Sequence, residues 1–241
     1  MSKAYYFISD IHLGLEGAER EKKKESSLVK LLYSLKNKDC ELFIVGDLYD
    51  FWFEYRRVYQ KGFYRTLTAL NDLVISGVKI HYLIGNHDFM HRDFFENEIG
   101  VELYDDGGFF TLNGTKFFIA HGDGLVQNDL GYRILKKVLR NKFVQELYSW
   151  LHPDIGIKIA SGTSKSSREY TTGKDYGEAD GLLSAAQQKI EEGAEYVIFG
   201  HLHQRQNIKY KNGRYINLGS WLEKPCYGIF HENNFQIVDW E

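Results

Sequence analysis

Short apolar runs recur along the chain at Tyr5–Ser9, Leu42–Val45, Ile80–Ile84, Phe117–Ala120 and Tyr196–Phe199, each bounded by glycine or polar residues. Runs this short, aromatic and rich in β-branched residues predict buried strands. Between the early ones the apolar residues fall at helical spacing, as in Leu28-Leu31-Leu32-Leu35 and Leu67-Leu70-Leu73-Val74. Strands alternating with helices place the chain in the α/β class. Two Asn-Gly pairs, Asn113-Gly114 and Asn212-Gly213, lie between strand-like flanks. Such pairs accept the left-handed backbone of a tight hairpin turn. From Arg205 to Trp240 the chain alternates and turns like an antiparallel β segment. A mixed, two-sheet α/β architecture is expected.

The stretch from Gly124 to Glu192 has a different pattern. Ile134, Leu135, Val138, Leu139, Leu147 and Leu151 fall on one helical face, and Arg133, Lys136, Lys137 and Arg140 mostly on the other. The chain is therefore expected to be a single domain over residues 1–241, with a helical insertion at about 124–192. The insertion lies between two motif-bearing strands, where a lid would lie.

Composition narrows the class. With 241 residues and 43% hydrophobic content, the chain can bury a substantial core. A net charge of −3 and the lack of a long basic, aromatic-interleaved stripe argue against nucleic acid as a partner. Two cysteines, Cys40 and Cys226, make no disulfide framework and fit a reducing compartment. No apolar run reaches the roughly 18 residues of a membrane-spanning helix. Met1-Ser2-Lys3-Ala4 leads straight into a strand-like run without a secretory pattern, so a cytoplasmic protein is expected.

Five short motifs follow the predicted strands: Asp10-Ile11-His12, Gly46-Asp47-Leu48-Tyr49-Asp50, Gly85-Asn86-His87-Asp88, His121-Gly122-Asp123 and Gly200-His201-Leu202-His203. Any one alone reads more simply as a turn. Together they put carboxylates, an amide and imidazoles at strand ends, and in open α/β sheets ligands bind beyond the carboxyl ends of the strands. Imidazole mixed with carboxylate suits Mn, Fe, Co or Zn, whereas a purely oxygen site suits Mg or Ca. A shared carboxylate, Asp47, would hold two cations roughly 3.5–4 Å apart, a spacing that clamps one phosphoryl group. Asp50, Asp88 and Asp123 are expected to orient ligands. His81, His91, His152 and His231 belong to no motif and read as structural or surface residues.

This ordered set of motifs resembles the calcineurin-like metallophosphoesterase superfamily. The resemblance implies a four-layer αββα sandwich. It assigns Asp10, His12, Asp47 and His203 to one metal, and Asp47, Asn86, His121 and His201 to the other. Within the superfamily the chain is most similar to the UDP-2,3-diacylglucosamine pyrophosphatases of lipid A biosynthesis, through Ser9–Leu13, Gly46–Phe53, Gly85–Phe89, His121–Tyr132, Leu151–Ile155 and Ser161–Arg168. That likeness implies hydrolysis of a lipid-linked nucleotide to UMP and 2,3-diacylglucosamine 1-phosphate at two divalent ions, usually Mn2+, with Fe, Co, Zn or Mg as the other candidates. It puts catalytic roles on Asp47, Asn86 and His87, and substrate contacts on Asn86, His87, Asp129, Ser161, Lys165, Arg168 and His201. Lys165 and Arg168 offer cations to phosphate oxygens, although a solvated helix face is what such residues alone would suggest.

The apolar lid residues and the basic face of Arg133, Lys136, Lys137 and Arg140 fit an anionic membrane surface, and so a peripheral location on the inner face of the cytoplasmic membrane, the alternatives being packing of the apolar residues onto the core and ordinary solvation of the basic face. No protein partner is inferred. One departure matters: the proteobacterial form has arginine after the motif asparagine, where this chain has His87. Histidine there suits an alkoxide leaving group, so the alternative is a phosphodiesterase or phosphatase of a soluble nucleotide or other phosphoester. A non-catalytic scaffold on the same fold would lack ligands, and here every ligand position is filled.

Overall fold

The first strand, β1 (Ala4–Ile8), is apolar on both faces: Tyr5 and Phe7 enter one buried cluster, Tyr6 and Ile8 another. A strand of this kind needs a covering layer on each side. In the computed structural model, which describes residues 2–125, 130–156, 158–159, 162 and 178–241, it has both. β1 pairs in parallel with β2 (Cys40–Val45), β2 with β3 (Lys79–Leu83), and β3 with β4 (Glu102–Tyr104). On the other edge β10 (Cys226–His231) and β11 (Asn234–Asp239) add antiparallel strands, giving the order β11-β10-β1-β2-β3-β4.

A second sheet of five strands runs β5 (Gly108–Leu112), β6 (Thr115–Ile119), β7 (Tyr196–Phe199), β9 (Gly213–Leu218) and β8 (Arg205–Tyr210) across its width. The two sheets face each other across Phe7, Phe43, Phe117, Ile119, Ile198, Ile216 and Phe230. Helices α1 (Ala18–Leu35) and α2 (Tyr64–Ile75) cover the outer face of the first sheet with the leucines at helical spacing, Leu28, Leu31, Leu32 and Leu35 from one and Leu67, Leu70 and Leu73 from the other. The resulting order of layers is helix, sheet, sheet, helix.

All five expected strands occur, within two residues of their expected bounds. The first Asn-Gly pair forms the β5–β6 turn, with Asn113 and Gly114 both at positive φ. The second pair is offset by one residue. Gly213 already opposes Tyr210 in the ladder, and the turn is Lys211-Asn212. The parallel pairing of β9 with β7 fixes that register, since a one-residue slip would exchange Tyr215 and Ile216 between the helix-covered and inter-sheet faces. The C-terminal β segment also differs from expectation: it is split, with β8 and β9 in one sheet and β10 and β11 in the other.

The described part of the insertion is mainly helical. α3 (Leu130–Leu139) and α4 (Lys142–Tyr148) are held largely by polar ties. Glu146 pairs with Arg56 and Arg92, and the Tyr148 ring packs edge-on to Phe53 at 4.9 Å. α5 (Glu178–Glu191) is different in kind. Leu182, Ala186 and Ile190 bury against Phe118, Val197, Phe199 and Tyr215, so this helix is the outer layer of the second sheet. Among the described residues, no helix is long and apolar enough to cross a membrane.

Glu54, 3% exposed, anchors the segment after the second motif to the π-helical turn Phe94–Ile99. One oxygen accepts the Trp52 indole N–H at 2.7 Å, and the other accepts the backbone N–H groups of Arg92, Asp93 and Phe94 at 2.8, 3.0 and 3.2 Å. Burial alone would raise this carboxyl, but the nearby His91, the Trp52 indole and the Arg92 amide outweigh it and hold it at about 2, against the ordinary 4.5. A depressed carboxyl stabilises the fold fully above 4.5, and that contribution is lost as pH falls through about 2. Denaturant titrations between those pH values are expected to show roughly 3 kcal/mol of acid destabilisation that Glu54→Gln lacks.

Candidate metal centre

The loops following β1, β2, β3, β6 and β7 meet at one end of the sandwich. Pairing continues past the strands: Ile11 N–H and His12 N–H both donate to the Asp47 carbonyl at 3.0 Å, and Gly200 N–H donates to the His121 carbonyl at 3.0 Å. Asp10, His12, Asp47, His201 and His203 all adopt left-handed backbone, with φ between 48° and 70°. Such conformations cost on the order of 1 kcal/mol each for non-glycine residues and persist where surrounding bonds over-determine them. Here those bonds are visible. The Asp10 carboxylate accepts the His201 N–H at 3.0 and 3.1 Å as well as the Ser9 hydroxyl, and the Asp10 carbonyl accepts Ser220 Oγ–H at 3.0 Å.

The converging donors fall into two groups with a common member. In the first, His12 Nε2 and His203 Nε2 lie 3.0 Å apart, and Asp10 Oδ1 is 3.9 and 3.4 Å from them. In the second, Asn86 Oδ1 is 2.9 Å from both His121 Nε2 and His201 Nδ1. Asp47 Oδ2 joins them, 3.7 Å from His12 Nε2 and 3.3 Å from His121 Nε2. Donors sharing one ion at about 2.0–2.2 Å lie about 3.0–3.5 Å from each other, so these spacings fit the edges of two coordination shells meeting at Asp47. The donor chemistry, carboxylate and imidazole with one amide oxygen, also suits divalent cations.

Hydrogen bonds set which atom each ring presents. His121 Nδ1–H donates to the Val45 carbonyl at 2.9 Å, turning Nε2 toward Asp47 and Asn86. His87 Nδ1–H donates to the Asp50 carbonyl at 3.0 Å, and the His87 backbone N–H holds Asp47 Oδ1 at 2.9 Å. Burial, with His87 and His203 alongside, brings His12 down to about 3 against the pull of Asp47, so it stays neutral with a lone pair to give. Burial also works to lower His121, but Asp47, Asp10 and Asp123 outweigh it and push it up to about 10. A cation binding at His121 must displace that proton. Cation affinity is therefore expected to rise by up to about tenfold per pH unit on approaching 10 from below, seen as proton release in calorimetry with buffers of different ionisation enthalpy.

The three other motif carboxylates act differently from one another. Asp50 Oδ1 sits 3.7 Å from His12 Nδ1. Asp88 accepts Gly85 N–H at 2.9 Å, Leu48 N–H at 2.8 Å and the Tyr82 hydroxyl, tying the β2 and β3 loops together. Asp123 is buried against Lys136 and Arg140 of the insertion. This corrects the expected role of those two cations. They face inward onto carboxylate and carbonyl groups, because an otherwise uncompensated buried Asp123 would be costly. Lys137 stays exposed, and the side chain of Arg133 lies outside the described residues.

Several contributors carried no motif of their own. Buried Lys24 of α1 donates to the His12 carbonyl at 2.8 Å, and buried Asn217 donates to the Gly200 carbonyl at 2.5 Å. The run Asn217-Leu218-Gly219-Ser220, which begins at the end of β9, has a similar strand-then-glycine-and-polar form to the five motifs, and that signal marks Asn217 and Ser220. Of the four non-motif histidines, His81 is buried and bonded to Glu41 and Tyr104, the His91 side chain is buried beside Glu54, His152 is exposed, and His231 bonds the Ser2 carbonyl. Asp129, Ser161, Lys165 and Arg168 lie outside the described residues.

The calcineurin-like phosphoesterase model matches residues 4–205, a span that contains every donor of this centre. The UDP-2,3-diacylglucosamine hydrolase of Porphyromonas gingivalis is 29% identical over 248 residues, covering 95% of this chain and 95% of that protein. That of Neisseria meningitidis serogroup B is 31% identical over 225 residues, covering 91% and 90%. The structure of an archaeal phosphodiesterase aligns with a TM-score of 0.50 at 14% identity, covering 98% of this chain and 99% of that one, and so shares the fold. Sandwich, converging donors and family match agree, and the chain belongs to the calcineurin-like phosphoesterase family.

Proposed function

We propose that the protein hydrolyses the pyrophosphate bond of UDP-2,3-diacylglucosamine, adding water across P–O–P to give UMP and 2,3-diacylglucosamine 1-phosphate in lipid A biosynthesis. The observation that carries this reading is the match, over nearly the whole chain, to hydrolases named for that substrate, on a chain whose seven donors converge. As a family member the enzyme uses divalent metal ions. Asp10, His12, Asp47 and His203 would hold one, and Asp47, Asn86, His121 and His201 the other, with manganese the favoured element. Bound there, such ions supply Lewis acidity and a nucleophilic water at neutral pH.

The chain's own residues do the rest. The Asp50 carbonyl takes the Nδ1–H of His87 and so fixes the ring, and Nε2 is the ring atom that would meet a phosphate oxygen in the transition state. A phosphate leaving group needs little protonation, so that charge stabilisation is the contribution expected of His87. His87→Ala should lower turnover about 100-fold while leaving metal content near wild type, as read by elemental analysis of the purified variant.

The domain reading is one catalytic domain with an insertion at about 124–192 whose α3 and α4 serve as a lid. Phe143 and Trp150 there are 71% and 76% exposed, and Ile134, Val138 and Leu147 are exposed beside them. Exposed apolar side chains of this kind suit acyl chains or a bilayer interface. Asp129, Ser161, Lys165 and Arg168 complete the substrate contacts, and the enzyme works as a cytoplasmic protein peripheral to the inner face of the membrane.

Incubation with UDP-2,3-diacylglucosamine in detergent with Mn2+ tests the reading, UMP release being the expected result. Absence of UMP alongside turnover of another ester would reject it. His87 favours one second reading, a soluble phosphodiesterase or phosphatase, which predicts fast cleavage of small chromogenic esters indifferent to detergent.

A further inference from the structure

One side chain of the insertion grips loops that carry the centre. Arg140, immediately after α3, directs one terminal nitrogen at the Gly85 carbonyl at 3.0 Å, the Ile84 carbonyl at 3.3 Å and Asp123 Oδ2 at 3.5 Å. Its other terminal nitrogen reaches the Asp105 carbonyl and, at 3.4 Å, Asp106 Oδ1. A turn earlier on the same helix, Lys136 bonds the Asp123 carbonyl at 3.0 Å and pairs with Asp123 Oδ2 at 2.9 Å. A planar guanidinium with donors in fixed directions is suited to holding several acceptors at set separations, which a single ammonium point charge cannot do.

The gripped positions are one and two residues from donors of the centre. Gly85 precedes Asn86, and Asp123 follows His121 by two. Asn86 Oδ1 and His121 Nε2 are the pair 2.9 Å apart, so the loops bridged by Arg140 are those whose separation sets that distance. By contrast the bonds that brace the His12 and Asp10 side of the centre, among the described residues, come from Lys24 of α1 and from Ser220.

We infer that Arg140, assisted by Lys136, is a positioning residue that latches the insertion to the Asn86/His121 half of the centre, so that seating of the insertion and cation binding at that half are coupled. The inference rests on reading the centre as two cation positions. Residues that hold ligands in place from behind typically change metal affinity 10- to 100-fold when lost. A latch on one half should change one binding step and leave the other.

The test is calorimetric titration of MnCl2 into the chelator-stripped full chain. Wild type should show two cations. Arg140→Gln should weaken one of them about tenfold and leave the other unchanged. Arg140→Lys, which keeps the charge beside Asp123, should lose most of the same affinity, since an ammonium cannot span the acceptors. Exposed Lys137→Gln on the same helix should titrate as wild type. In a His121→Ala background, where that half is already broken, adding Arg140→Gln should change nothing further.

Equal weakening of both cations, or neither, would overturn the latch, as would full rescue by Arg140→Lys. Should Arg140→Gln fail to fold, the lysine variant decides alone. Wild type that binds no Mn2+ would instead defeat the two-cation reading itself.

Discussion

Asp47→Ala is expected to fold, to lose the bound cation pair, and to fall by about 1000-fold or more in ester hydrolysis even at saturating Mn2+. The size of the effect follows from position. Among the described residues Asp47 is the one carboxylate within 3.7 Å of imidazoles from both donor groups, and its second oxygen is fixed by the His87 amide at 2.9 Å. Removing it takes a ligand from each half and frees the loop bearing His87 at the same stroke. It also removes the main charge that holds His121 protonated. Elemental analysis and turnover of a chromogenic ester provide the check. Two retained cations per chain with a tenth of the activity would show that Asp47 does not bridge.

The second large effect is expected from Gly85→Ala, which leaves every donor in place. A β-carbon at Gly85 would land on Asp47 Oδ1 and against the Asp47 backbone nitrogen, closer than real side-chain carbons sit. Asp47 is 1% exposed, with no room to retreat. The collision has to push the carboxylate out of the centre or the β3 loop away from it. Overpacking of this kind costs typically about 1–3 kcal/mol, and displacement of the bridge should lower activity about 100-fold. Gly114→Ala separates this from a general intolerance of alanine. Gly114 has open space around its position, and φ of +84° makes the substitution strained only locally. It should cost about 1 kcal/mol in denaturant titration and nothing in turnover. Wild-type turnover by Gly85→Ala would mean that the β2 and β3 loops are less tightly opposed than they are here.

The two substitutions act on one physical fact, the nearness of loops far apart in sequence. That fact explains why different parts of the protein were legible to different degrees. Strand β1 is readable because five consecutive apolar residues between polar ends have few alternatives to a buried strand. Helix α1 is readable because Leu28, Leu31, Leu32 and Leu35 share a face by spacing alone. The motif at Asn86 is readable as a turn, and its joint occurrence with four others carries the chemistry. The Lys211-Asn212 turn was one residue off because the register of β9 is fixed by its parallel neighbour β7, which lies outside the local pattern. Likewise a helix face bearing Lys136 and Arg140 looks like a solvated or lipid-facing one until Asp123 is brought underneath it.

Local chemistry thus carried the five expected strands, the first two helices, the α/β class and the five motifs, since each depends on side-chain type and short spacing. Only the folded chain decided that β8–β9 and β10–β11 belong to different sheets, that α5 covers the second sheet, and that Arg140 faces inward. It alone set Asp47 between two donor groups. These are outcomes of packing between segments far apart in sequence, by 191 residues for Asp10 and His201, and no local periodicity carries information about such a partner.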